Sequence, residues 1–510
     1  MVTWAQHVAP WMAASGRRRP VLFVILVGIV VIFLLLAPPK TEAVLPTPAP
    51  ISAEAASTIV QSEPDRVVLP ADDATPSGPV LKLPGPPTYA SLRKWEDNLP
   101  QHDLDLPYPE GKSGRYVKFS NEMKLVGWNN CLNERLMNAH LAYISGRAYV
   151  FSDYMWAWEH YAWPHEQHPP GGPRTPLNAI VSGPMAGGPW ASDDPAPRSI
   201  SAKWFDVVCP LSERRLLNTT EVKPFVLSKP GIEVLDRWAQ VLRDAPERCI
   251  EVIAPPEEVD DKPQVFDLWL WGNSRVLSLW DPFSKSPTSR LLGPSPLVQS
   301  AIDRNLYLFL PHGPQHGHPH YPSPSYGPRD PFDRMLAVHI RRGDYVNHCE
   351  NLANWGSTYY SWALLPSLVD HFIPPPAGDP NRVDKVLKHC LPTLEQFLQR
   401  IHDVREEYLA SPKKLRGETR VLDVLYLLTN EHGPWIEELE AAVKNVGWNT
   451  VVSTRDLTLD VEQEDVSMAI DMQIARRAAV FLGNGWSSFT SNIIHQRLVD
   501  NREPLSTRLT

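Results

Sequence analysis

Arg341 and Arg342, followed by Gly343 and Asp344, are the side chains of this chain best equipped to do chemistry. A guanidinium presents a planar fork of donors that fits phosphate oxygens, so two in succession point to an anionic ligand, with Asp344 able to orient one of them. His339 stands two residues before Arg341, after the apolar run Met335-Leu336-Ala337-Val338. That order predicts a buried parallel strand over 335–341 whose carboxyl end carries His339, Arg341, Arg342 and Asp344, and open α/β sheets bind ligands at that end. By itself, RRGD at a strand end is more often a surface ion pair, so the reading depends on what the rest of the chain supplies.

Two other turns supply it. Gly127, Asn129 and Asn130 stand between a strand-like segment and a helix, where free backbone N–H groups and amide side chains face whatever binds. Gly483-Asn484-Gly485-Trp486-Ser487-Ser488-Phe489 has the same order of strand, glycine turn, hydroxyls and helix start, which can cradle phosphate. Each turn alone is an ordinary helix cap. Three of them, each after a strand, favour a nucleotide site.

The elements that would position these turns follow from the periodicity. Residues 116–119 read as a strand, Leu132, Leu136, Ala139 and Tyr143 fall at helical spacing, and 148–151 resumes strand character. Next come a strand over 204–208, a helix over 231–242, a strand over 249–253 and a helix over 296–306, a plausible α/β unit. The second half is more regular. Strands at 335–341, 421–428, 450–453 and 479–482 alternate with helices at 393–408, from Pro434, at 465–478 and at 489–497, the pattern of a doubly wound parallel sheet.

The remaining sequence sets limits. With 510 residues, two domains plus extra segments are expected. A net charge of −9 gives no basic footprint, so nucleic acid is not an expected partner. The cysteines Cys131, Cys209, Cys249, Cys349 and Cys390 show no CxxC spacing and define neither a zinc site nor a disulfide pairing. Residues 21–37 are continuously apolar after Arg17, Arg18 and Arg19, which predicts a transmembrane signal anchor behind a cytosolic tail, 1–20; a cleaved signal peptide is the alternative. Residues 38–112, rich in proline toward their start, read as a disordered stem. On this reading the bulk is lumenal, and Asn218 begins the one usable glycosylation sequon. Asp103-Leu104-Asp105 has the DxD spacing of metal-dependent sugar transferases but reads as linker. His316, His318 and His320 lie in a proline-broken bridge and do not converge on a metal. Trp156, Trp158 and Trp163 crowd a polar loop, either as stacking platforms or as a plug for the sheet edge.

Three motifs, GWNN from Gly127, HIRRGD from His339 and DMQIARRAAVFLGNGWSSFTSN from Asp471, resemble those of the GDP-fucose protein O-fucosyltransferases, in the form of fungal membrane-anchored members of that family. The resemblance implies the GT-B architecture, two facing Rossmann-like domains, placed here at 113–330 and 331–510. Arg341 would grip the β-phosphate of GDP-fucose and stabilise the charge that develops as the fucosyl bond breaks. His339 would lie beside the donor, and Asn129 would contact it from the first domain on the turn that also carries Gly127 and Asn130. Asp471 would accept hydrogen bonds from guanine, and Ser487, Ser488 and Phe489 would bind the donor at a helix amino end. Thr429-Asn430-Glu431 matches only in part the Thr-Asp pair of relatives.

What the resemblance implies is inverting transfer of fucose to a hydroxyl of a protein or oligosaccharide acceptor, with no metal and no other cofactor, by a single-pass type II membrane protein of the Golgi or endoplasmic reticulum. LVGWNN lacks the acidic residue that some relatives place in this loop, and Glu122 and Glu134 lie outside it, so Asp153, Asp344 and Glu431 are the candidate bases. The alternative is a non-catalytic glycan- or nucleotide-sugar-binding protein that keeps the fold. Adhesion through Arg342-Gly343-Asp344 fits poorly with a strand end facing an interdomain cleft.

Overall fold

The computed structural model describes residues 86–161, 173–310, 330–376, 378–411 and 421–510. Two five-stranded parallel sheets dominate them. The first is built from β1 (Tyr116–Phe119), β2 (Ala148–Phe151), β4 (Ile200–Ser201), β5 (Arg214–Asn218) and β6 (Cys249–Ile253), in the order β4-β2-β1-β6-β5. The second contains β8 (Met335–Ile340), β9 (Val424–Thr429), β10 (Thr450–Ser453), β11 (Val480–Gly483) and β12 (Thr507–Leu509), in the order β10-β9-β8-β11-β12. A short antiparallel pair, β3 (Val181–Ser182) with β7 (Gly293–Pro294), completes the set. The mixed α/β architecture with two parallel sheets fits a GT-B-like fold.

The second sheet shows why its strands read as continuous apolar runs. Leu336, Val338 and Ile340 pack on one face with Phe397, Ile401 and Val404 of the helix Leu394–Ala410 and with Ile436, Leu439 and Val443 of the helix Pro434–Asn445. Met335 and Ala337 point the other way, into a cluster that also holds Val117, Phe119, Ile250 and Val252 of the first sheet. A strand buried on both faces loses its polar alternation. His339 follows the parity of Met335 and Ala337, so it leaves the strand on the face turned toward the shared core.

Several expected elements differ. The strand expected at 204–208 is instead the helix Ala202–Val208: the side chain of Ser201 accepts a hydrogen bond from Trp204 N at 3.2 Å, and Phe205 and Val208 bury at helical spacing. The strand in this part of the chain is β5, where only Leu217 is buried, too weak a pattern to read. Folded elements also begin upstream of Tyr116. Thr88 caps the helix Tyr89–Asp97, whose Leu92 and Glu96 are buried. Two helices, Val346–Trp355 and Arg382–Cys390, follow the arginine motif where none is expected.

The localisation as a single-pass type II membrane protein needs correction. Among the described residues no helix is long and apolar enough to cross a membrane, and the run at 21–37 lies outside them. The histidines His316, His318 and His320 and Trp163 also lie outside the described residues. Two disulfides form, Cys209–Cys249 and Cys349–Cys390, and Cys131 is a buried free thiol.

Candidate functional site

In the second sheet, chain order reverses between β8 and β11, which lie side by side with Leu482 opposite Val338. Crevices form at such a reversal, because the connections leaving the two strands diverge to opposite faces. The turn after β8 carries Arg341, Arg342 and Gly343, and the turn after β11 carries Asn484 to Ser487. Topology therefore brings HIRRGD and GNGWSSF to one place.

Side-chain contacts tie them together. His339 Nδ1 and Thr490 Oγ1 are hydrogen-bonded at 2.9 Å, and the Phe489 ring lies 4.7 Å from the imidazole, centroid to centroid. Burial, followed by the neighbouring Arg341 cation, lowers the His339 pKa to about 3, so the ring is neutral throughout the physiological range. The Arg341 guanidinium lies over the Tyr345 ring at 5.3 Å, and Tyr345 Oη donates to Trp486 O at 3.1 Å. The second arginine is engaged differently. Arg342 Nη1 donates to Pro392 O at 3.0 Å while its guanidinium covers Trp435 at 4.4 Å, and burial lowers its pKa.

The GNG turn is shaped by close approach. A Cβ on Gly485 would fall within the ring of Tyr359, while Gly485 O accepts from Tyr360 N at 2.8 Å, so only glycine fits. Asn484 Nδ2 donates to Cys390 O at 2.7 Å, and its Oδ1 accepts from Trp486 N at 3.0 Å. Ser487 Oγ caps the helix Ser488–Val499 by accepting from Phe489 N at 3.3 Å. Ser488 and Phe489 are partly exposed at the helix start, where a phosphate would meet the Ser488 N–H beside the capped Phe489 N–H.

The first sheet contributes the third turn. Gly127 precedes the helix Trp128–Ile144 without a side-chain cap, and a Cβ there would meet no atom within 4 Å, so the backbone borders open space. Asn492 Nδ2 donates to Asn129 O at 3.0 Å and to Asn129 Oδ1 at 3.3 Å. Tyr360 Oη donates to Asn130 Oδ1 at 3.3 Å. These bonds hold the GWNN turn against the GNGWSSF helix.

Of the remaining sequence candidates, Asp471 sits apart. Its Oδ1 accepts from Tyr426 Oη at 2.5 Å and its Oδ2 from Thr454 Oγ1 at 2.8 Å. Burial raises its pKa to about 7 against the opposing pull of the two hydroxyls. Asp344 belongs to the single turn Gly343–Tyr345, and its side chain lies outside the described residues. Asp153 pairs with Arg93 Nη2 at 2.5 Å. Glu431 Oε1 accepts from Gly433 N at 2.8 Å. Glu122 accepts from Tyr149 Oη at 2.8 Å and pairs with Arg135 at 3.4 Å, whereas Glu134 is fully buried and its pKa is raised well above the carboxylate range, first by burial. Asp105 of the DxD triplet is exposed and pairs with Lys112 at 3.0 Å, and among the described residues no group of three or more potential ligands is placed to hold a metal.

A larger cavity, about 1030 Å³, lies among Trp95, Tyr108, Pro109, Trp190 and Arg198 and shares no residue with these turns. Arg198 is its one lining arginine among the described residues. Its guanidinium lies 4.9 Å from the Trp190 ring and its Nη1 donates to Ala196 O at 3.3 Å.

No family model matches, and no curated protein matches. Solved structures do. The chain is similar to POFUT1 in complex with GDP-fucose, at 13% identity and TM-score 0.41, over 75% of this chain and 94% of that one. NodZ α-1,6-fucosyltransferase soaked with GDP-fucose follows at 12% identity and TM-score 0.34, over 74% of this chain and 91% of that one. A variant of Arabidopsis thaliana FUT1 in complex with GDP gives 11% identity and TM-score 0.33, over 81% of this chain and 74% of that one. Likenesses this distant carry nothing about chemistry, which rests on the side chains above.

Thr490, Asn492, Tyr345 and Tyr360, which residue type alone does not mark as functional, connect the named residues. A signal existed for two of them. The helix Ser488–Val499 buries Thr490, Ser491, Asn492, His495, Gln496 and Arg497, and a run of buried polar side chains on one helix marks an interface with specific partners.

Proposed function

We propose that the chain is a GDP-fucose-dependent fucosyltransferase that acts by inversion on a hydroxyl of a protein or glycan acceptor. One observation carries the reading: HIRRGD, GNGWSSF and GWNN, far apart in sequence, meet through the contacts of His339 with Thr490 and of Asn492 with Asn129. Convergence of a guanidinium, a helix amino end and an uncapped glycine turn is the chemistry a nucleoside diphosphate requires. In the proposed step the acceptor oxygen bonds to the anomeric carbon from the face opposite the diphosphate. The bond to the β-phosphate oxygen breaks, its electron pair stays on phosphate, and the hydroxyl proton passes to water or a side-chain base. Arg341 and the N–H group of Ser488 at the helix start would balance the charge growing on the phosphate, an effect concentrated in the transition state. Neutral His339 would serve as a hydrogen-bonding group, since its depressed pKa makes it a poor cation.

Titration of the purified protein with GDP and GDP-fucose, with Arg341→Ala alongside, tests the donor assignment; absence of GDP binding by the wild type would sink it. A transfer screen over folded small domains, unfolded peptides and oligosaccharides then tests catalysis. Donor binding without hydrolysis or transfer to any acceptor would leave the non-catalytic binding protein as the better description.

A further inference from the structure

The two disulfides enclose loops of nearly equal length, with sequence separations of 40 and 41, yet they sit in very different places. Cys209–Cys249 joins the end of the helix Ala202–Val208 to the start of β6, on the far face of the first sheet. Cys349–Cys390 joins the helix Val346–Trp355, which follows directly on the arginine turn, to the last residue of the helix Arg382–Cys390. Around that bond three carbonyls in close succession, at His389, Cys390 and Pro392, reach the turns of the candidate site, the first of them through Thr510. His389 O accepts from Thr510 Oγ1 at 2.6 Å, and Thr510 N in turn donates to Gly483 O at 3.0 Å. Cys390 O accepts from Asn484 Nδ2 at 2.7 Å, and Pro392 O from Arg342 Nη1 at 3.0 Å. Cys390 and Pro392 also line, with His339 and Arg341, a cavity of about 20 Å³.

From this we infer that the Cys349–Cys390 disulfide is a positioning device for the diphosphate cradle: it locks the 389–392 carbonyls so that the arginine turn and the GNG turn keep one mutual geometry. Cys209–Cys249 serves stability alone. The inference rests on the nucleotide reading given above and deepens it by naming what holds the site in register. Chain entropy predicts the same stabilisation from both bonds, because their loops are of matched length. Any difference between them in ligand affinity must therefore come from what each bond positions. Small displacements of a preorganised site are costly, on the order of a hundredfold for about 1 Å.

The test compares Cys349→Ala/Cys390→Ala with Cys209→Ala/Cys249→Ala in the full chain. Thermal midpoints, GDP affinity by calorimetry, and hydrogen exchange over 340–345 and 483–488 are measured for both. Similar falls in midpoint are expected, with GDP affinity down about tenfold or more in the first variant and within about twofold of wild type in the second. Amide protection in the two turns should drop in the first variant alone. Equal affinity losses and equal loss of protection in both variants would overturn the inference. If the first variant fails to fold, Asn484→Ala with both disulfides intact takes its place, and unchanged GDP affinity and unchanged protection over 340–345 there would count against the proposal. If the wild type binds no GDP, the donor reading fails by itself, and the exchange comparison still decides whether this bond orders the two turns.

Discussion

The two sheets share a parallel construction but differ in how they close. In the second, the strands on either side of the reversal, β8 and β11, both run out into site turns, and two helices, Leu394–Ala410 and Pro434–Asn445, cover the far face. In the first, β1 lies beside β6, only β1 leads to a site turn, and the far face is covered by the short helix Ala202–Val208 and the Cys209–Cys249 bond. The second sheet thus supplies the charge and the first supplies an open backbone edge. The difference teaches that one half can be fixed by ordinary packing while the other depends on contacts it borrows, here Asn492 and Tyr360.

The largest effect expected from this division is on Arg341. Arg341→Ala should lower transfer, or GDP affinity where no acceptor is known, by about a hundredfold to a thousandfold, against about tenfold or less for Asn129→Ala. Equal losses, read by calorimetry and steady-state kinetics, would erase the distinction between a charged half and a backbone half.

Next comes Asp471. Its folded pKa of about 7 lies above its ordinary value of 3.8, so the stability tied to its protonated form is complete below pH 4 and is lost as pH rises through 7. Between pH 5 and pH 7 the wild type should therefore lose about 2 kcal/mol that Asp471→Asn does not lose. Chemical denaturation at the two pH values measures this, and parallel curves would show that Tyr426 and Thr454 hold the carboxylate ionised instead.

Asn492→Ala removes both bonds to Asn129 and should destabilise the protein by about 1–2 kcal/mol while raising the KM for donor more than it lowers kcat. A change in kcat alone would place Asn129 in the reacting shell rather than in positioning. The smallest effect is local to the first sheet. Ser201→Ala should cost about 1 kcal/mol by uncapping the helix Ala202–Val208, with no change in GDP affinity.

The contrast between the sheets also explains how much could be read from the chain. In the second half the strands expected at 335–341 and 450–453 and the helices expected at 393–408 and from Pro434 are found with ends shifted by a residue or two, because burial on both faces and clean amphipathic helices leave strong periods. In the first half, Trp204-Phe205-Asp206-Val207-Val208 is too short to separate strand from helix, and the Ser201 cap decides it. The helices Val346–Trp355 and Arg382–Cys390 were missed because neither buries more than a few apolar side chains.

For the site, residue types alone singled out the pair Arg341 and Arg342, His339 and the glycine turns, since guanidinium donors, imidazole and glycine conformations are properties of single positions. The resemblance had already set Arg341 apart for the phosphate, and the fold supplies the physical ground for Arg342, which is held by Pro392 O and Trp435 through a contact that spans about fifty residues of chain. The same holds for the ionisation of Asp471 and for the pairing of Cys349 with Cys390. Sequence determined which groups exist and which local turns they favour. Tertiary structure decided which of them meet and how deeply they are buried, because burial and long-range contact are set by the whole packing rather than by any one segment.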